Sequence, residues 1–203
     1  MKQTKKFWST KTLVLSALMT ALVIVTQTLA TLFPNVFGPF AGAVALVPII
    51  IGGCLCGPIV GTLLGIVFSL VVLVTAPSSP FTAMLISYDP FATVTIVMLK
   101  GTFCALISSV AYKLLSKLND IVAAVVAAIL CPIINTGIFL FGSITMLWDN
   151  LAQITNGEQK GFVATIVFFW GIVIANFIFE LILCVVFSPI IVKVLSLRKR
   201  MEN

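Results

Sequence analysis

Two cysteines one residue apart, Cys54 and Cys56, lie in VPIIIGGCLCGPIVG between glycines and a proline. That spacing could serve a metal or thiol chemistry, but C-x-C is a poor chelate without further ligands in the same loop. The chain has no histidine, which removes the commonest metal ligand and general base. Cys104, Cys131 and Cys184 are scattered through apolar runs, where cysteine behaves as a small hydrophobe. Packing is therefore the expected role of all five thiols, and no bound metal or other cofactor is expected. Of six carboxylates, Glu180 alone falls inside an apolar span, so the sequence offers no catalytic cluster and no enzyme is expected. No G-x-x-x-x-G-K-[ST] phosphate loop occurs, so any dependence on ATP has to come from a partner.

The polar groups that remain sit in an unusual solvent. Hydrophobic residues make up 61% of the 203 and charged residues 9%, far from the roughly 45–50% and 25% of soluble domains. This is the composition of a membrane protein. With about 20 residues per crossing, the chain has room for six spans, expected near 12–32, 40–55, 57–75, 90–112, 120–146 and 163–194. The fold expected is all-α: a compact bundle of six transmembrane helices forming one domain over residues 1–203. The GGCLCGP stretch reads as a tight hinge between the second and third spans, since helices end well at Gly and tolerate Pro in their first turn.

Basic residues set the expected orientation. Lys2, Lys5, Lys6 and Lys11, then Lys113 and Lys117, then Lys193, Arg198, Lys199 and Arg200 all fall on one side of a six-span layout, opposite Asp89, Asp149, Glu158 and a single base, Lys160. Short cytoplasmic loops are enriched in Lys and Arg, so both termini are expected in the cytoplasm. The net charge of +6 is then a topology signal. No basic face with interleaved aromatics accompanies it, so nucleic acid is not an expected partner.

Ionisable and amide side chains within spans are costly and mark function. Lys100 lies about 15 Å into its span at 1.5 Å per residue and needs an anion, either Glu180 or a ligand carboxylate. Asn135 and Asn176 offer donors and acceptors at similar depth, for a ligand or for linking helices. The connections on the other side, LFPNVFGPF, TAPSSPFTAMLISYDPF and LWDNLAQITNGEQKGF, add Asn35, Tyr88, Asp89, Phe91, Trp148 and Asn150. Aromatic walls with a few polar groups suit a small organic ligand, while an interfacial aromatic belt explains some of Phe33, Phe40, Tyr88 and Trp148. Two small-residue faces complete the pattern. Ala17 and Ala21, beside Ser16 and Thr20, form one on the first span, and Gly57, Gly61 and Gly65 form another on the third. Such faces allow close approach of a second helix, inside the bundle for the glycines and inside it or on another subunit for the alanines.

The early A-x-x-x-A helix, VPIIIGGCLCGPIVGTLLGIVFSLV, DPFATVTIVMLKGTFCALISSVAYKLL and PIINTGIFLFG, in this order, resemble the substrate-binding S components of energy-coupling factor (ECF) vitamin transporters. The resemblance covers most of the chain. It implies a bacterial plasma-membrane protein that captures a small water-soluble vitamin outside and topples to release it inside. A transmembrane coupling subunit and two ATPases drive that cycle, with Ala17 and Ala21 docking on the coupling subunit. The stretch FAGAVALVPIIIGG lacks the acidic and basic pair of the riboflavin branch. The arrangement is most similar to the pantothenate and folate branches, pantothenate first, and Lys100 suits their carboxylates. An ion-coupled secondary transporter using Lys100 and Glu180, and a structural subunit that binds no small molecule, are the competing readings.

Overall fold

The computed structural model describes residues 10–33, 42–147 and 161–202. They form seven α-helices: α1 (Thr10–Leu32), α2 (Gly42–Cys56), α3 (Pro58–Val74), α4 (Pro80–Tyr88), α5 (Pro90–Leu115), α6 (Asp120–Met146) and α7 (Gly161–Glu202). A 3-10 turn, Ala76–Ser78, precedes α4. Among the described residues, four segments are long and apolar enough to cross a membrane: Thr10–Leu32, Pro90–Leu115, Asp120–Met146 and Val173–Val194. The apolar helices α2 and α3 have 15 and 17 residues, about 22 and 25 Å against a hydrocarbon core of about 30 Å.

Helix starts follow local chemistry. The hinge is as tight as GGCLCGP suggests: α2 stops at Cys56, Gly57 takes a left-handed φ of 92°, and Pro58 opens α3. A side chain with a Cβ is strained in that conformation. Asp89 precedes Pro90 and accepts the Ala92 backbone N–H at 2.9 Å. Asn119 caps α6 by accepting from the backbone N–H groups of Ile121 and Val122 at 2.9 and 3.2 Å. One element differs from expectation. Pro80–Tyr88, read as part of an irregular connection, is a helix begun by Ser79 and Pro80, the same cap-then-proline signal that starts α5.

The centre of the bundle is α5, packed most extensively against α6 and α3. Small residues make this possible. Ala123, Ala124, Ala127 and Ala128 of α6 are fully buried, as are Cys104 and Ala105 of α5. Between α3 and α5, a Cβ on Gly65 would run into the Gly101 carbonyl, and one on Gly61 into the Ser109 hydroxyl. Ser69 fastens the same crossing, donating to the carbonyls of Val97 and Gly65 at 2.9 and 3.0 Å. The glycine face of α3 thus serves packing within the bundle, where van der Waals contact and interhelical hydrogen bonds replace the hydrophobic drive. Ala17 and Ala21 are exposed on α1. The neighbouring hydroxyls are turned inward to the helix itself, Ser16 donating to the Thr12 carbonyl and Thr20 to the Ser16 carbonyl.

Two buried apolar clusters result. The larger one joins α1, α2, α3, α5, α6 and α7, and includes Cys54, Cys104, Cys131 and Cys184, with Cys56 packed against it. The smaller one gathers Leu85, Ala92, Ile96, Phe139, Leu147 and Val173. None of the five cysteines is in a disulfide among the described residues.

Candidate functional site

A polar layer lies between the two apolar clusters, and helical spacing builds it. On α5 the sequence steps in fours from Ile96 to Lys100 to Cys104. On α6 it steps in fours from Cys131 to Asn135 to Phe139. On α7, Val173, Asn176, Glu180 and Cys184 follow at steps of three and four. Residues three or four apart share a helix face, and adjacent helices here run in opposite directions. The result is three levels: the apolar Ile96, Phe139 and Val173, then the polar groups, then a floor of fully buried Cys104, Cys131 and Cys184.

Glu180 is the hub of the polar level. It is 2% exposed and accepts four hydrogen bonds. Asn135 Nδ2 donates to Oε1 and Oε2 at 3.2 and 3.1 Å, Asn176 Nδ2 to Oε1 at 2.8 Å and Thr136 Oγ1 to Oε2 at 3.4 Å. A buried carboxylate is tolerable only with such a set of donors and a nearby cation. Lys100 is that cation, and the two charges attract across the layer. They form no contact ion pair among the described residues. The Lys100 ammonium stands instead 5.0 Å from the centroid of the Phe139 ring, within cation–π range. Phe81 of α4 packs on Phe139 from elsewhere, ring centroids 6.1 Å apart.

Two polar atoms of this layer are left open. The half-buried Lys100 has no hydrogen-bond acceptor among the described residues. Asn135 is 4% exposed and its Oδ1 has no donor among the described residues. The orientation of that amide is forced: a carboxylate only accepts, so Nδ2 must face Glu180 and Oδ1 must face away.

Lys100, Asn135 and Asn176, singled out from the sequence, are thus brought to one level. Tyr88, Asp89 and Phe91 are not. They sit at the α4–α5 junction, about 16 Å from Lys100 along α5 at 1.5 Å per residue. There the Asp89 carboxylate serves as a helix cap, and Phe91 is 76% exposed. Asn35, Trp148 and Asn150 lie outside the described residues. Sequence reading passed over Thr136 and Phe139. The signal was present in NTGIF, where Asn135 and Phe139 share a face one turn apart.

Comparison with known families decides the class. A family model for the ECF transporter, substrate-specific component, matches residues 11–192. The chain belongs to this family. No curated protein and no solved structure gives a significant match. As an S component it is a multi-pass membrane protein that binds a small substrate for an ECF transporter and works with coupling and ATPase subunits. It is a transporter subunit and not a catalyst.

Proposed function

We propose that this S component captures a small carboxylate vitamin, pantothenate first and folate second, at the polar layer around Lys100. The observation that carries this reading is the Lys100 ammonium, which lies ten residues into α5 without an acceptor among the described residues. A cation at that depth is retained where it meets an anion, and Glu180 already has its lone pairs occupied by Asn135, Asn176 and Thr136. A ligand carboxylate is the natural counterpart. Asn176, with its amide on Glu180, supports the layer from α7.

The remaining parts of the reading follow from the same layout. The whole chain acts as one membrane domain crossing six times, α2 and α3 included, with both termini in the bacterial cytoplasm and no cofactor of its own. One cavity of about 440 Å³ brings Thr12 of α1, the Gly57–Pro58 hinge, Lys113 in the last turn of α5 and Ser116 just after it to the same end. This end is the basic one, which supports the orientation. Ala17 and Ala21, exposed on α1, are the docking face for the coupling subunit, and the loaded protein topples on it to release the vitamin inside.

The test is to purify the protein in detergent from a vitamin-replete host and identify the co-purifying small molecule by mass spectrometry. Calorimetric titration with pantothenate and folate then follows. A stoichiometric carboxylate vitamin of submicromolar affinity is expected. Ion-driven uptake into liposomes without partners would favour a secondary transporter instead, and a protein that binds no small molecule would favour a structural subunit.

A further inference from the structure

We infer that the polar layer reads two groups of one ligand: a carboxylate at the Lys100 ammonium and a hydrogen-bond donor, an amide N–H or a hydroxyl, at Asn135 Oδ1. This rests on the binding reading above and narrows it to acids that carry a donor within a few bonds of the carboxylate.

The donor requirement comes from Asn135 alone. Its Oδ1 is buried without a donor, and an unmade hydrogen bond at a buried carbonyl is costly. Turning the amide over does not help, because Oδ1 would then face the oxygens of the ionised Glu180 carboxylate, which only accept. Thr136 and Asn176 already donate to Glu180. A donor has to come from outside the described residues, and a ligand in the layer supplies it. The anion requirement comes independently from Lys100.

The two groups also belong to one layer of the bundle. Asn135 and Phe139 share a face of α6 one turn apart, and the Lys100 ammonium lies 5.0 Å from the Phe139 ring. One turn is about 5.4 Å. An N-acyl amino acid, with its amide N–H and carboxylate a few bonds apart, offers both groups on one small molecule. Glu180 acts as a positioning residue: it fixes the direction of the Asn135 amide and touches no ligand.

The test is a cycle of protein and ligand changes read by calorimetry. Pantothenate and folate are titrated alongside their amide-N-methylated forms and methyl esters, into wild type, Asn135→Leu, Asn135→Ser and Thr136→Val. Wild type is expected to lose at least about tenfold in affinity on N-methylation and on esterification. Both Asn135 variants should bind the parent acid more weakly and lose no more than about twofold on N-methylation; Asn135→Ser guards against misfolding of the leucine variant. Thr136→Val removes a donor to Glu180 yet leaves Oδ1 in place, so it should discriminate as wild type does. Equal N-methylation losses in wild type and the Asn135 variants overturn the inference. So does a stoichiometric co-purified ligand without a carboxylate, which leaves the binding-subunit reading intact. A protein that binds no ligand at all overturns both.

Discussion

Asn176 and Glu180 stand one turn apart on α7 and are joined by a 2.8 Å hydrogen bond, so this buried charge is held first by its own helix and then by Asn135 and Thr136 of α6. Removing that charge leaves three donors facing an apolar core. Glu180→Leu is expected to destabilise the protein by roughly 2–4 kcal/mol, the range for stranding buried polar partners. Glu180→Gln keeps one acceptor and should cost about 1 kcal/mol, since hydrogen bonds between membrane helices are individually modest. Chemical unfolding in mixed micelles separates the two; equal losses would mean that the cluster contributes no specific hydrogen bonding.

The same layer carries a binding prediction. Lys100→Met removes the only basic side chain at this level of the described helices and should weaken pantothenate binding by about 30-fold or more, or roughly 2 kcal/mol, the lower end for losing one partner of a desolvated ion pair. Lys100→Arg keeps the charge but changes the donor geometry, and an intermediate loss is expected. Calorimetry on folded, monodisperse variants measures both. Unchanged affinity in Lys100→Met would remove the ammonium from the ligand site.

Glycines on two helices should respond in opposite ways. Gly65 is closed in by the Gly101 carbonyl and Ala105, so Gly65→Ala forces α3 away from α5 and should cost about 1–3 kcal/mol by overpacking. Gly137, inside α6, has nothing within 4 Å of where a Cβ would stand. Gly137→Ala should therefore gain up to about 1 kcal/mol of helix propensity. Thermal melting of the two variants side by side checks the α3–α5 interface. A Gly65→Ala protein as stable as wild type would show that the helices do not approach this closely.

What the sequence made legible depends on how far each feature reaches. The α2–α3 hinge was readable because Gly57 and Pro58 act on their own backbone, and the start of α5 was readable because Asp89 and Pro90 mark it locally. The helix Pro80–Tyr88 was missed although Ser79 and Pro80 announce it, because nine residues of mixed character carry too few turns for a periodicity to stand out. Lys100, Asn135, Asn176 and Glu180 were visible as polar residues in apolar spans. Their partners were not, because which face of α6 meets which face of α7 is decided by packing. That is why Lys100 and Glu180 stood out as a possible pair while the Phe139 ring facing the ammonium did not. The family itself was legible from the order of short motifs, none of which is specific alone.

The exposed alanines of α1 supply the last prediction. Ala17 and Ala21 lie one turn apart with outward faces, and the hydroxyls beside them are already bonded to helix carbonyls, so the surface is flat and makes no polar demand on a partner. A helix of a coupling subunit can approach such a surface closely, and the contact depends on the absence of bulk. Ala17→Trp adds a large ring on the lipid-facing side, where it disturbs neither buried cluster, so folding and pantothenate affinity should stay within about twofold of wild type. Assembly with the coupling and ATPase subunits should fall by at least about tenfold, and ATP-driven uptake with it. Co-purification of the complex from cells expressing all subunits, together with calorimetry on the isolated S component, reads the two effects apart. Loss of ligand binding would place Ala17 inside the structural core, and unchanged complex formation would move the docking face elsewhere on the bundle.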